Sequence, residues 1–344
     1  MPSSCCLSWY DPCDSCTFRF LPSISGSQIW LPCPGMICNL GNASLKSQCL
    51  ESRGVSTGSP ALDKSSSWTP HDMFYFDQHP KLFGDASGKY GQDTIALVAT
   101  SSSRQAVADR QVIAEYGIND YWVGLVGMAY RPTPFGKVNV SSPLASLLGN
   151  STILSLSFGY TAGSVYVDDN LGSLTLGGYD ASRRSPQATE NLELHMDRNT
   201  NELKVELLDI SVLNGTTSGE RMLIPPGKTY SMFLDTSVSE FWLPSEVCDL
   251  FKGSFNITED PETGLFEIDN ASRQRMFNNN TSLTFVLGAS RIPLRSFRLT
   301  LAPRLTVIIV ELFPVDLNEE ARAVVESGGT VLELAACKLV TGRK

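Results

Sequence analysis

One strand–turn–strand pattern occurs twice in this chain, and the repeat limits the folds that the chain can adopt. The second copy, Phe233–Pro244, reads F-L-D-T-S-V-S-E-F-W-L-P, and the first copy, Leu21–Pro32, reads L-P-S-I-S-G-S-Q-I-W-L-P. When the copies are aligned on their shared Trp-Leu-Pro ending, Ser23 falls on Asp235. Two copies about half a chain apart predict two lobes related by a pseudo-twofold axis, with their turns brought together at the lobe boundary.

The composition favours a folded chain that is rich in short strands. The 344 residues suffice for about two domains, and 42% hydrophobic against 18% charged residues is not a disordered composition. Ser, Thr, Gly, Asn and Pro are abundant and helix-forming runs are scarce, which favours an all-β class. The net charge of −9 comes without a basic stripe, so we expect no nucleic-acid partner. We also expect a monomer without a cofactor.

Candidate N-glycosylation sites indicate a secretory route. Asn-x-Ser/Thr sequons occur at Asn42, Asn139, Asn150, Asn214, Asn256, Asn270 and Asn280, and Asn279 starts an overlapping sequon. The first residues lack the basic and apolar regions of a signal peptide, and no apolar run reaches the ~20 residues of a membrane span. We therefore expect a secreted or cell-surface protein whose membrane anchor is not present in this chain and whose sequence is incomplete at its ends.

The nine cysteines do not form a recognisable metal site. Cys13-x-x-Cys16 has the spacing of half a zinc site or of a redox pair, but no second Cys/His pair at metal spacing follows it. We therefore expect no metal. A disulfide between Cys38 and Cys49 is favoured, with Cys33 as a competing partner.

Apolar and alternating runs predict strands along much of the chain. They include Ile153–Tyr160, Gly172–Leu176, Leu203–Leu213, Tyr230–Leu234, Phe266–Asp269 and Leu283–Leu287. Between them, Cys33–Trp68 is predicted to be a loop-rich insertion with Gly, Asn and Ser clusters.

Three short helices and one close backbone contact are also predicted. The helices are Ser142–Leu148, with Ser142 as its N-cap, Ser245–Phe251 and the acidic run Asn318–Glu326. In the apolar run Trp122–Tyr130, Gly127 predicts a point where another backbone approaches closely.

Three motifs in a fixed order make this chain resemble the pepsin-like aspartic peptidases. They are L-D-T-S…W-L-P at Leu234–Pro244, G-L-V-G-M-A-Y at Gly124–Tyr130 and G-S-L-T-L-G-G-Y-D at Gly172–Asp180. The second motif is similar to the segment that supports the family's first catalytic turn. The resemblance covers roughly residues 17–290 and is nearest to a divergent fungal branch whose members are exported and often surface-anchored. It implies an all-β, bilobal pepsin-like fold, with two β-barrel lobes and a cleft between them.

The resemblance implies a mechanism that this chain meets only in part. The family uses two carboxylates that share one proton across a water molecule, and their proximity separates their pKa values, as in pepsin. Asp235 matches one catalytic aspartate, and Thr236 and Ser237 are suitable hydrogen-bonding neighbours, although the family has Gly at the position of Ser237. The other aspartate falls on Ser23, whose hydroxyl cannot carry a negative charge or activate water alone.

Two further features differ from the family pattern. Either Tyr90–Thr94 is the flap hairpin, with Tyr90 as the flap tyrosine, or Gly91–Thr94 matches the strand after a flap that is remodelled or missing. The tail Arg291–Lys344 lacks the family's last supporting segment and resembles a mispredicted or frame-shifted end. We therefore divide the chain into an N-terminal lobe with shortened first strands (1–183), an incomplete C-terminal lobe (184–290) and an unrelated tail (291–344).

Three functions are consistent with these residues. The favoured one is an exported pepsin-like protein without peptidase activity, which holds a peptide or a cell-wall polymer in its cleft. The second is a weak acid endopeptidase that uses Asp235 with another group in place of the first aspartate. The third is a truncated product that folds poorly and has no function.

Overall fold

A computed structural model describes the secondary structure of most of the chain. The described residues are 7–10, 17–24, 26–56, 62–76, 87–98, 105–118, 123–163, 171–180, 195–196, 203–213, 219–235, 243–260, 265–267, 269–279, 281–287, 292–293, 297–298, 316–318 and 334–335. They fall into two compact units. Unit 1 comprises residues 1–183 and 199–201, and unit 2 comprises residues 184–198 and 202–344.

Unit 1 is built mainly from strands. These are β1 (Leu7–Tyr10), β2 (Thr17–Ser23), β3 (Ile29–Pro32), β4 (Thr69–Tyr75), β5 (Ser87–Val98), β6 (Gln105–Tyr116), β7 (Gly124–Gly127), β8 (Thr133–Phe135), β9 (Val138–Val140), β10 (Phe158–Gly163) and β11 (Leu171–Leu176). The helical elements are α1 (Pro34–Ile37), α2 (Ala43–Ser52), a 3₁₀ turn at Leu62–Lys64, and α3 (Pro143–Gly149).

Seven of these strands form one sheet in the order β1-β2-β7-β3-β6-β5-β4, and β1 also pairs with β5. Strand β7 lies between β2 and β3: it runs parallel to β2 and antiparallel to β3. The end of β2 and the start of β3 are therefore held by the same four-residue strand, and the turn that joins them is fixed at both ends.

The central strands of the sheet in unit 1 are buried on both faces, which explains the apolar run of β3. Ile29 and Leu31 belong to one hydrophobic cluster, whereas Trp30 between them belongs to another. Successive side chains of a strand point to opposite faces, so a strand covered on both sides is apolar throughout. In β6, Ile113 lies in the first cluster and its neighbour Val112 in the second.

Unit 2 is centred on one long strand. Its strands are β12 (His195–Met196), β13 (Leu203–Leu213), β14 (Glu220–Met222), β15 (Tyr230–Asp235), β16 (Leu243–Pro244), β17 (Thr258–Asp260), β18 (Leu265–Glu267), β19 (Ser282–Leu287), β20 (Ile292–Pro293), β21 (Phe297–Arg298), β22 (Asp316–Asn318) and β23 (Leu334–Ala335), and its helices are α4 (Ser245–Phe255) and α5 (Asn270–Asn278). Strand β13 pairs with β12, β14, β15 and β19. In α4, Val247, Phe251 and Phe255 recur every four residues and are buried, as expected for a helix with one apolar face.

Several predicted elements are confirmed. Leu203–Leu213 is a strand with the predicted bounds, and Ser142 caps α3 by accepting a hydrogen bond from Ala145 N. Helix α4 extends one turn beyond the prediction to Phe255, where Asn256 ends it in the left-handed conformation.

Three predictions about local structure were wrong or incomplete. Cys33–Trp68 is not simply a loop, because it contains α1, α2 and the 3₁₀ turn. Within it, Asn42 is the N-cap of α2 and accepts a hydrogen bond from Leu45 N at 3.1 Å. The strand predicted from Ile153 begins only at Phe158. In the tail, Asp316–Asn318 is a strand paired with β15, and the rest of the predicted helix lies outside the described residues.

Candidate active-site turn

The turn after β2 carries Ser23 in a buried position. Only 3% of Ser23 is exposed, and Gly26 N donates a hydrogen bond to its Oγ at 3.2 Å. Its carbonyl oxygen accepts a hydrogen bond from Met128 N at 2.8 Å. The hydroxyl thus closes the turn locally, while the backbone joins the turn to the segment after β7.

Gly127 brings the backbone of β7 against this turn. Its N–H donates to Gln28 O, and Ala129 N donates to Gly26 O, each at 2.8 Å. A Cβ atom added at Gly127 would overlap the carbonyl group of Gly26. The predicted close approach at Gly127 is therefore confirmed, and the segment after Gly124 supports the turn as the motif implied.

A buried amide lies behind the turn. Gln28 Oε1 accepts a hydrogen bond from Trp30 Nε1 at 3.1 Å and another from the Tyr90 hydroxyl at 3.3 Å. This contact joins the turn to β5, in which Tyr90 is 3% exposed. Gln28 was not identified from the sequence, because the only indication was a polar residue within an apolar run.

Tyr90 lies within a long strand and not at the end of a hairpin. It pairs with Ala114 of β6, and its ring packs near Phe74, Phe76 and Phe135. Strands β4 and β5 form an antiparallel hairpin whose connection, residues 77–86, lies outside the described part. This placement favours the alternative in which Gly91–Thr94 belongs to the strand after the flap.

The turn is also joined to the hairpin formed by β8 and β9. Ser27 Oγ and Thr133 Oγ1 are 2.9 Å apart and hydrogen-bonded, and both residues are buried. Thr133 Oγ1 also donates to Ser27 O at 3.4 Å. Ser27 and Gln28 thus connect the turn to two separate elements of unit 1.

Asp235 is the last residue of β15 in unit 2. Its backbone pairs with Asp316 of β22, while its side chain, Thr236 and Ser237 lie outside what the structure describes. At the other end of β15, Tyr230 donates a hydrogen bond to Glu246 Oε1 of α4, and Lys228 Nζ lies 2.7 Å from both carboxylate oxygens. The hydrogen bonds from Lys228 and Tyr230 lower the pKa of Glu246.

Glu115 is a buried carboxyl group outside the turn. Burial raises its pKa, although Lys89 at 3.9 Å lowers it, and Asp63 adds to the increase. Its charge also contributes to the raised pKa of the Cys33 thiol, for which burial is the larger cause. Glu115 is therefore a carboxyl group of unit 1 that takes up a proton more readily than an exposed glutamate does.

The remaining predicted sites are placed as follows. Cys38 and Cys49 form a disulfide, and Cys33 is a free thiol. Of the sequon asparagines, Asn42, Asn139, Asn150, Asn256 and Asn270 are exposed, while Asn214 and Asn280 lie outside the described residues. Within the described part of the chain, no group of three or more His, Cys, Asp or Glu could hold a metal ion, and no helix is long and apolar enough to cross a membrane.

A family model described as eukaryotic aspartyl protease matches residues 82–302, which include all three motifs. The chain belongs to this family. The match confirms the pepsin-like, mainly β class of the fold. It begins after the segment Leu21–Pro32, so the equivalence of Ser23 to a catalytic aspartate stays a prediction.

Among solved structures, this aspartyl protease family member is similar to the aspartic proteinase from Irpex lacteus. The two share 16% identity with a TM-score of 0.49, over 84% of this chain and 74% of that chain. No curated protein matches the chain.

Proposed function

We propose that this chain is an exported member of the aspartyl protease family that does not cleave peptides. The observation that carries the proposal is Ser23, which is buried at the end of β2 beside Gly127, in the turn that aligns with the Asp235 turn. A hydroxyl stands where the reaction would need a carboxylate.

The required chemistry explains why this one difference matters. Peptide hydrolysis by two carboxylates needs one ionised group to take a proton from water and one protonated group to give a proton to the scissile carbonyl. Serine stays neutral across the working pH range. In addition, Ser23 Oγ already accepts a hydrogen bond from Gly26 N, a contact within the turn itself. Asp235 alone then has no partner that would separate the two roles.

Export and binding complete the proposal. The sequons support a secretory route, and five of their asparagines lie exposed in the described part of the chain. In this proposal the protein binds a peptide or a cell-wall polymer without cleaving it. Co-sedimentation with insoluble wall polysaccharide and titration with unfolded peptides would separate these two ligands.

The decisive experiment is incubation of the purified protein with an unfolded protein substrate at acid pH. We expect no cleavage above that of an Asp235→Ala control. Cleavage by the wild-type chain that disappears in the control would contradict the proposal and support the weak endopeptidase instead.

A second variant tests whether Ser23 is the cause. Ser23→Asp supplies the missing carboxyl group, and paired acid–base groups contribute roughly 10²-fold or more to rate. We expect Ser23→Asp to cleave the substrate and the double variant Ser23→Asp/Asp235→Ala not to do so. A Ser23→Asp protein that melts cooperatively but stays inactive would show that the defect lies elsewhere.

A further inference from the structure

The sequon asparagines differ in how the fold uses their amide nitrogen. An N-linked glycan is bonded to Nδ2, so this atom must be reachable and have space beside it for the sugar. Asn139 and Asn150 are both exposed and lie 11 positions apart in unit 1, which makes them a matched pair. The surroundings of their Nδ2 atoms nevertheless differ.

Asn139 lies on the outer face of the hairpin formed by β8 and β9. It pairs with Pro134, which is exposed, whereas the neighbours of Pro134, Thr133 and Phe135, are buried. Because residues that pair across a hairpin share one face, Asn139 points away from the core. Among the described residues, none accepts a hydrogen bond from Asn139 Nδ2.

Asn150 lies at the C-terminal end of α3 and holds a turn in place. Its Nδ2 donates a hydrogen bond to Val107 O of β6 at 2.7 Å. Its Oδ1 accepts hydrogen bonds from Thr152 N at 3.1 Å and from Thr152 Oγ1 at 2.6 Å. The middle residue of the sequon, Ser151, has a φ of 62°. A sugar bonded to Nδ2 would have to share the space beside the β6 backbone.

We infer that Asn139 carries an N-linked glycan in the secreted protein and that Asn150 does not. This rests on the proposed export. In the transfer step, Asn139 Nδ2 forms a bond to the anomeric carbon of an oligosaccharide that is linked to a lipid diphosphate. The bond between that carbon and the diphosphate oxygen breaks, the lipid diphosphate leaves, and Nδ2 gives up one proton.

The hairpin gives this glycan a defined position. The inner face of the same hairpin is bonded to the Ser23 turn through Thr133 and Ser27. The glycan therefore lies on the solvent side of an element whose other side supports the turn, and it does not disturb that support.

The test is glycan occupancy in the full chain directed into the secretory pathway of a eukaryotic host. The secreted protein is deglycosylated enzymatically in heavy-oxygen water, which marks each formerly glycosylated asparagine as labelled aspartate. Trypsin would leave both sequons on one peptide, because no Lys or Arg lies between Lys137 and Arg183. Chymotrypsin, which cuts within Leu144–Leu148, is used instead to separate them. Ser141→Ala removes the Asn139 sequon while leaving Asn139 itself in place.

We expect the Asn139 peptide to be mostly labelled, the Asn150 peptide to be mostly unlabelled, and Ser141→Ala to abolish labelling at Asn139. Equal or higher occupancy at Asn150 would overturn the inference. Labelling at Asn42 without labelling at Asn139 would overturn it while leaving the export proposal intact. If the host exports the protein but labels no sequon, the inference fails and the export proposal stands. If the protein enters the secretory pathway but is not exported, both fail.

Discussion

At the scale of single residues, the Ser23 turn depends on Gly127, which has no side chain, as much as on the side chains around it. Gly127 lets β7 lie against Gly26, and the hydrogen bonds from Gly127 N and Ala129 N form only at that separation. The neighbouring Gln28 then occupies a space behind the turn where it can accept hydrogen bonds from Trp30 and Tyr90.

Gly127→Ala should therefore be strongly destabilising. The added methyl group meets backbone atoms that cannot rotate away, so we expect the free energy of unfolding to fall by roughly 3 kcal/mol. Gly149→Ala is the matched control, because a Cβ there meets nothing within 4 Å and the residue ends a helix. We expect that control to be neutral or stabilising by up to about 1 kcal/mol. Denaturant unfolding measures both, and equal effects would contradict the role of Gly127.

The sequence allowed Gly127 to be predicted but not Gln28, for a physical reason. A glycine inside an apolar run has few explanations other than close backbone contact. A glutamine inside such a run needs partners, and one of its two partners, Tyr90, lies far along the chain. Tyr90 itself was open to two interpretations, because its neighbours in sequence do not reveal which part of the hairpin it occupies.

At the scale of elements, β15 is held at its start by charge and hydrogen bonding. Glu246 of α4 receives hydrogen bonds from Lys228 and Tyr230, and Tyr230 is the first residue of the strand that ends at Asp235. The contact between β15 and α4 therefore includes one partly exposed carboxyl group whose ionised form is stabilised.

This arrangement predicts a loss of stability in acid. The folded pKa of Glu246 is lowered below 4.5, so the stabilisation is present above that value and is lost as the pH falls through the folded pKa. We expect Glu246→Gln to lower the free energy of unfolding near neutral pH by about 1 kcal/mol or less, because the group is partly exposed, and to have no effect in strong acid. Unfolding curves of both proteins across this pH range test it, with Asp249→Asn at the exposed Asp249–Lys252 pair as the control. The same difference at every pH would contradict this role.

The strands were predicted more accurately than the insertion Cys33–Trp68, which lies between β3 and β4. Leu203–Leu213 alternates apart from a break at Leu207-Leu208, where the register shifts, and its bounds were predicted correctly. Helix α2 was missed for two reasons. Asparagine, the residue type of its N-cap Asn42, is also common in turns. The residues of the helix are exposed or only partly buried, so no apolar stripe marks it in the sequence.

At the scale of the whole molecule, acid has opposite effects on two carboxyl groups, Glu115 in unit 1 and Glu246 in unit 2. In unit 1, burial raises the pKa of Glu115 despite Lys89 nearby, with Asp63 and Cys33 as the other titratable neighbours. In unit 2 the pKa of Glu246 is lowered. Protonation of Glu115 on acidification therefore stabilises the folded chain, whereas protonation of Glu246 destabilises it.

The variant Glu115→Gln tests the expected effect of acid on Glu115. A raised folded pKa means that the stabilising effect of protonation is complete below the unfolded pKa and is lost as the pH rises through the folded value. We expect the variant to be more stable than the wild type near neutral pH by about 1 kcal/mol, and to lack the gain in stability on acidification. Chemical unfolding at a series of pH values would show this; an unchanged pH dependence in the variant would contradict it.

The position of β7 between β2 and β3 also affects how the chain is made. The turn of Ser23 leaves the ribosome well before Gly124–Gly127, about a hundred residues later, so its supporting strand follows on the order of ten seconds behind. During that interval the apolar ends of β2 and β3 are synthesised but unpaired. The Ser23 turn therefore cannot reach its final hydrogen bonding before β7 is synthesised, and chaperones can bind the apolar strands on either side of it until then.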